Sequence, residues 1–234
     1  MWDFDDDNEL LACGPPLHQS GLSSSAHGGM VSARLLVPDE SPTFNPYPMM
    51  GAPHSPVWPR GLPLERIRVG GGAVERSVKD ETISVSSVGC YQVGAHAREA
   101  RARRARARQK CARDDLSRLS AQALAHHDPD VDAVYRLTLP IPFDWDDRAL
   151  VGAGGERPLV LPPNTFAPAN AQATLHTHAG LWATLLPRTV HGRVSDIWRS
   201  YIAQRLFWDV DLALAFVGAH VTQFRSPHNY LAGE

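Results

Sequence analysis

The feature that most restricts the fold of this chain is a proline-rich stretch between Pro38 and Pro63, in which eight prolines recur every few residues. Proline lacks a backbone N–H and clashes with the preceding helical turn, so regular helix is excluded there. Tyr47 and Trp58 lie among these prolines and predict an ordered loop that lies against the protein surface. Together with a stretch of Gly, Ser, Pro and His from Gly14 to Gly29, the loop regions span about 14–63.

The middle of the chain predicts a helix, a turn and a strand in succession. The segment "HDPD" ends the predicted helix, because it contains a proline between two acidic residues. The segment "AVYRLTL" that follows favours a strand. Asp128, Asp130 and Asp132 are interpreted as part of this turn, since Pro129 favours one. The apolar residues that recur at helical spacing before the turn are Leu116, Leu119, Ala123 and Leu124.

The last third of the chain continues the same alternation of helices and strands. After a loop from Gly152 to Ala171, the segment "ATLHTHAGLWATLLP" predicts a helix or a strand-to-helix unit that ends at Pro187. The segment "SDIWRSYIAQRLFWDV" predicts an amphipathic helix with Ser195 as N-cap and Asp196 in its first turn. The tail "LALAFVGAHVTQF" supplies one or two short strands, so we expect an α/β fold.

Length and charge narrow the classes of protein that remain. The chain has 234 residues, enough for one domain with a sizeable core. Its formal net charge of -2 argues against a nucleic-acid-binding surface, and no apolar stretch is long enough to span a membrane. An Arg- and Ala-rich stretch, about 95–113, predicts a solvated basic helical insertion, with phosphate or nucleic-acid binding as the alternative.

The chain opens with "WDFDDDNEL", which crowds five carboxylates into nine residues. Such a cluster is either a solvated patch or a site built around a cation, because adjacent carboxylates repel each other. "WDF" predicts the end of a strand, and carboxylates there can hold Mg²⁺ or Mn²⁺. A glycosyltransferase Asp-x-Asp motif and a HAD-type phosphatase motif both suit this position, but Asp7 or Asn8 lies where the phosphatase requires Thr.

Four segments resemble, in the same order, the plant STELLO glycosyltransferases and their relatives. The resemblance covers residues 2–10, 45–67 and 126–231, and it rests on "WDFDDDNEL", "NPYPMMGAPHSPVWPRGLPLERI", "HDPDVDAVYRLT" and "GRVSDIWRSYIAQRLFWDV…HNYL". It implies a GT-A-like mixed sheet flanked by helices, a nucleotide sugar as donor, a glycan or protein as acceptor, and a divalent cation. The family is associated with the Golgi and with cellulose biosynthesis.

The resemblance also implies roles for individual residues. Asp5 and Asp7 resemble the metal ligands of the Asp-x-Asp motif, and His228 resembles the late histidine that completes the metal shell. Asp196 resembles the general base that deprotonates the acceptor hydroxyl. The alternatives are a first-turn Asp that interacts only with the helix dipole and a turn histidine bonded to backbone.

Three arginines and two histidines of the last third have two interpretations each. Arg193, Arg199 and Arg205 either face phosphate or pair with Asp196 and Asp209. His176 and His178 alternate as strand neighbours do, but without a third ligand nearby they define no zinc site.

The sequence departs from this family at its start. Relatives carry a long stretch before the acidic motif, with the first strands of the fold and a membrane anchor, so we expect a partial GT-A-like domain over 1–234 that lacks its first nucleotide-binding strands. Such a chain is expected to be weakly active or inactive, since base and ribose contacts are missing. The alternative function is a non-catalytic glycosyltransferase-like scaffold that binds a partner or a glycan.

Overall fold

The computed structural model describes residues 2–4, 8–10, 30–50, 52, 56–67, 76–84, 88–93, 125–126, 130–139, 158–217 and 221–223. The strands of this part are β1 Trp2–Phe4, β2 Asn8–Leu10, β3 Met30–Leu36, β4 Val78–Ser84, β5 Val88–Val93, β6 Ala125–His126, β7 Leu159–Val160, β8 Ala173–His176, β9 Ala213–Val217 and β10 Val221–Gln223. The helices are α1 Tyr47–Met50, α2 Ala133–Thr138 and α3 Gly192–Asp209, with 3-10 helices at Leu64–Arg66 and His178–Thr184.

Two sheets organise these strands. A seven-stranded sheet has the order β1-β8-β5-β9-β7-β3-β4, and a three-stranded sheet has the order β2-β10-β6. The larger sheet is mixed, since β5 is parallel to β9 and β3 to β7, while β8 is antiparallel to both of its neighbours. The smaller sheet is also mixed, since β10 is antiparallel to β2 and parallel to β6. Helices accompany an open mixed sheet, so the predicted α/β fold is confirmed and the arrangement is consistent with a GT-A-like fold.

The proline-rich stretch lies in the core and not on the surface, where the sequence placed it. Tyr47 and Val57 are fully buried, and Trp58 packs edge-on against Tyr135 with ring centroids 5.1 Å apart. It also contains the single helical turn α1, where no helix was expected. Asn45 makes this turn possible, because its side chain accepts from the Tyr47 N–H at 3.1 Å and donates to the Val57 carbonyl at 3.0 Å.

Several predictions about secondary structure are wrong. The segment expected to be a strand forms α2, because Asp132 caps it by accepting from the Val134 N–H at 2.9 Å. Helix α3 begins at Gly192 and is capped by the His191 side chain, so Ser195 is not its N-cap and Asp196 lies in its second turn. In addition, the loop regions expected over 14–63 contain the strand β3, and the stretch expected to be a loop from Gly152 to Ala171 contains β7.

Other predictions are confirmed or fall on residues that the structure leaves out. "WDF" is the strand β1, the segment after Ala171 is a strand followed by a 3-10 helix, and the tail supplies β9 and β10. The loop 14–29, the helix around Leu116 and the basic insertion 95–113 lie outside the described residues. None of the helices in the described ranges combines the length and apolar character that crossing a bilayer requires.

Gly61 of the proline-rich stretch lies in close contact with α3. Its φ of +88° lies in the left-handed region, and a Cβ built there would meet Ile197 Cγ2 at 2.4 Å. We therefore expect Gly61→Ala to lower the free energy of unfolding by about 2 kcal/mol or more, through backbone strain and overpacking. Urea denaturation measures this effect.

Gly192→Ala is the matched control, since a Cβ at Gly192 meets nothing within 4 Å. This substitution is expected to leave the free energy of unfolding unchanged or slightly higher. Equal effects of the two substitutions would contradict the close packing of Gly61 on α3.

Candidate active site

The centre of the candidate site is an ion cluster around the guanidinium of Arg60. Asp130 Oδ2 lies 2.7 Å from both Nε and Nη2 of Arg60, and Asp196 Oδ2 lies 3.0 Å from Nη2. Arg60 also donates through Nη1 to the carbonyl oxygen of Arg193. Burial disfavours the charged guanidinium, but the two carboxylates outweigh burial and raise the pKa of Arg60, which therefore stays charged.

Local backbone structure fixes the position of Arg60. The chain turns at Arg60 and Gly61, and Pro59 forms a β-bridge with Val131. The Arg60 N–H donates to the Asp130 carbonyl at 2.8 Å, so backbone and side chain both connect Arg60 to Asp130. From α3, the Tyr201 hydroxyl donates to the Gly61 carbonyl at 2.9 Å, and burial raises the pKa of this hydroxyl.

A buried polar loop in front of β8 forms the other wall of the site. Asn170 donates to Asp130 Oδ2 at 3.2 Å, and the Ala171 N–H donates to Asp196 Oδ2 at 3.2 Å. Gln204 of α3 binds the same loop through its side-chain amide: Oε1 accepts from the Ala167 N–H at 2.9 Å, and Nε2 donates to the Ala167 carbonyl at 2.8 Å. The loop is therefore attached to α3 and to the ion cluster at once.

The register of β1 places the beginning of the acidic run beside this loop. Phe4 lies opposite Ala173 in the antiparallel β1–β8 pair, two residues from the Ala171 N–H that binds Asp196. Asp5 follows Phe4 directly in the chain, so the described part of β1 ends next to the loop that binds Asp196.

The register of β2 brings the other end of the acidic run to β10. Asn8, which follows Asp7, lies opposite Gln223, and His228 is five residues after Gln223.

The predicted site residues have different outcomes. Asp196 lies in the ion cluster with its side chain 15% exposed. Asp5, Asp7 and His228 lie outside the described residues, so their geometry stays a prediction. Within the ranges that the structure does describe, no group of three or more His, Cys, Asp or Glu could hold a metal ion.

The three arginines divide between the alternatives left open for them. Arg205 pairs with Asp209 at 2.7 Å on the exposed surface, as one alternative had it. Arg193 contributes its carbonyl oxygen to Arg60, whereas Arg199 is buried. The charge partner of Asp196 is instead Arg60, which the sequence analysis did not identify as a site residue. Asp130, the other partner of Arg60, was interpreted only as part of a turn.

His176 and Arg199 line a small cavity of about 20 Å³ behind this site, together with Asn170 and Thr174. Such a volume holds about one water molecule. Burial and then the charge of Arg199 lower the pKa of His176 to about 3. His176 is therefore neutral at physiological pH, whereas His178, two residues further along, is exposed.

Removal of the Asp130 charge tests the ion cluster. Asp130→Asn leaves the largely buried Arg60, whose side chain is 20% exposed, with one carboxylate partner, and we expect the free energy of unfolding to fall by about 3 kcal/mol. Asp209→Asn is the control, because the Arg205–Asp209 pair is more than half exposed and its loss is expected to cost less than about 1 kcal/mol. Similar losses in urea denaturation would show that burial does not strengthen the cluster.

The low pKa of His176 predicts acid sensitivity. The unfolded imidazole binds a proton below its ordinary pKa of 6.5, whereas the folded one stays neutral down to about 3. Between these values the unfolded state binds more protons, so stability falls as pH is lowered, by about 1.4 kcal/mol per pH unit. His176→Gln is expected to remove this contribution from the pH dependence of unfolding, whereas His178→Gln retains it; identical slopes in all three proteins would contradict the assignment.

Comparison with known proteins supports the resemblance seen in the motifs. No family model matches the chain. The proteins named probable glycosyltransferase STELLO2 and probable glycosyltransferase STELLO1, both of Arabidopsis thaliana, are 28% identical over 171 residues and 26% identical over 167 residues. Each alignment covers 71% of this chain but only 17% of the relative's length. The chain is therefore similar to these two STELLO proteins over most of its own length, which confirms the predicted resemblance.

Proposed function

We propose that this chain provides part of a glycosyltransferase active site that transfers a sugar from a nucleotide-diphosphate donor to a glycan or protein acceptor. By resemblance, the reaction belongs to cell-wall polysaccharide or cellulose biosynthesis in the Golgi. The observation that carries the proposal is the convergence of the segments of the resemblance. Arg60 of "VWPRGLPL" binds Asp130 of "DPDVDA" and Asp196 of "SDIWRSYIAQRL".

Asp5, Asp7 and His228 are the residues that would hold Mn²⁺ or Mg²⁺ in this proposal. Two carboxylates and an imidazole are ligands that suit Mn²⁺, and carboxylates alone suit Mg²⁺. The registers of β1 with β8 and of β2 with β10 support a common site, because the residues that flank the acidic run in the chain, Phe4 and Asn8, lie opposite Ala173 and Gln223. Ala173 is two residues from the Ala171 N–H that binds Asp196, and Gln223 is five residues before His228 in the chain. A bound divalent ion supplies positive charge that stabilises the diphosphate leaving group.

Asp196 is the proposed general base for the acceptor hydroxyl. Its Oδ2 accepts from both Arg60 and Ala171, whereas its Oδ1 lies 3.4 Å from Arg60 Nη1, at the long limit of a hydrogen bond. Oδ1 is thus the oxygen more available to take a proton. Arg60 orients the carboxylate from one side, and the buried Asp130 and Asn170 hold Arg60 in place.

One observation favours the second candidate, a non-catalytic scaffold that binds a partner or a glycan. Both oxygens of Asp196 already contact Arg60, and this is also what a purely structural ion cluster requires. The two candidates differ in whether the acidic run binds a metal together with a nucleotide.

Calorimetric titration with Mn²⁺ in the presence and absence of a nucleoside diphosphate separates these candidates. The glycosyltransferase proposal predicts Mn²⁺ binding that is tightened by UDP or GDP, and Asp5→Asn or Asp7→Asn should weaken it by about tenfold or more. Glu9→Gln, in β2 of the same acidic stretch, is the matched control and should leave binding unchanged. Absence of nucleotide-dependent Mn²⁺ binding in the folded protein would favour the scaffold.

A further inference from the structure

Helix α3 carries a row of exposed apolar side chains along its outer face. The row, called the apolar ridge below, consists of Val194, Trp198, Ile202, Leu206 and Val210, each four residues from the next. These side chains are 36% to 53% exposed, with Trp198 and Val210 at the upper value. Residues four apart lie on one side of a helix, so the row is continuous.

The ridge makes the outer face of α3 more apolar than that of an ordinary surface helix. The inner face is also apolar, with Ile197, Ala203 and Phe207 buried. Arg205 and Asp209 are the charged residues beside the ridge, and they neutralise each other at 2.7 Å. A helix that is apolar on both sides is typical of one that is covered on both sides.

We propose that the ridge of a second copy of this chain covers the ridge of the first and forms a two-fold symmetric dimer. Rows of residues four apart form the ridges that interdigitate in the commonest class of helix packing, with helix axes crossing at about 50°. The ridge is symmetric in spacing about Ile202. In an antiparallel pair, Ile202 meets its own copy and Trp198 lies opposite Leu206 of the second copy, as an isologous interface requires.

The charges beside the ridge are compatible with this pairing. With the two-fold axis at Ile202, the two copies of Arg205 are offset by six residues, or about 9 Å along the helix direction. Asp209 of one copy is level with the uncharged Ser195 of the other, because both are seven residues from Ile202. No like charges stand directly opposite each other, and each Asp209 keeps its Arg205 partner.

The apolar area is adequate for a dimer. A large side chain buries about 150–250 Å² when it is fully covered, so the exposed parts of the five ridge residues amount to on the order of 400 Å². Trp182, which packs edge-on against Phe207, and the following Leu185 and Leu186 add exposed apolar surface next to α3. The sum is on the order of 800 Å² per copy, the amount that each partner contributes to an interface of ordinary size.

Light scattering after size-exclusion chromatography, with sedimentation velocity from low to high micromolar concentration, tests the dimer. We expect the wild-type chain to change from monomer to dimer over this range, and Ile202→Asp to weaken association by at least about 30-fold, as loss of a central contact does. Leu137→Asp is the matched control, because Leu137 is 49% exposed, close to the 47% of Ile202, but lies on α2. Circular dichroism of each variant verifies that it is folded.

A cysteine at position 202 tests the symmetry independently of affinity. In a protein with Cys13, Cys90 and Cys111 replaced by serine, Ile202→Cys is expected to form an intermolecular disulfide on mild oxidation, because residue 202 meets its own copy, whereas Leu137→Cys is not. A monomer at every concentration, a dimer unaffected by Ile202→Asp, or no cross-link at position 202 would overturn the proposal. Binding of the monomer to anionic lipid vesicles through the ridge would overturn it in favour of a membrane surface.

Discussion

The ion pairing of the Arg60 guanidinium is the interaction on which the rest of this structure depends. It joins residues 70 and 136 positions away in the chain, Asp130 and Asp196, and its backbone N–H binds the Asp130 carbonyl. A largely buried cation is costly unless it is paired, so the proline-rich stretch, the turn before α2 and the start of α3 stabilise each other when they come together. This mutual dependence connects the core to the candidate site.

Local signals in the sequence predicted what local interactions determine. The strand "WDF", the strands of the tail and the long helix around Trp198 follow from patterns within a few residues, and all three are present. The segment after Asp132 was misassigned because its β-branched and aromatic residues favour a strand, whereas the Asp132 side chain stabilises a helix end. Helix α3 starts earlier than predicted because His191, an uncommon cap, takes the place expected for Ser195.

The candidate site could be predicted only in part, for a related reason. Asp196 was found through its place near a helix N-terminus and through the resemblance, but Arg60 lies in a loop whose sequence gives no sign of partners so distant in the chain. Asp130 was indistinguishable from the two other acidic residues of its turn until the fold oriented it inward. The topology of the fold determines which charges far apart in the chain form pairs, and no single sequence motif predicts that topology.

The acidic run near the start of the chain connects the two sheets as well as serving the proposed chemistry. Three residues separate Phe4, in the seven-stranded sheet, from Asn8, in the three-stranded sheet, and all three are Asp. Their mutual repulsion opposes any compact arrangement of this short connection, and a bound cation reduces that repulsion. In the proposed enzyme, metal binding and the joining of the two sheets are therefore linked equilibria, so the metal would stabilise the fold as it assembles the site.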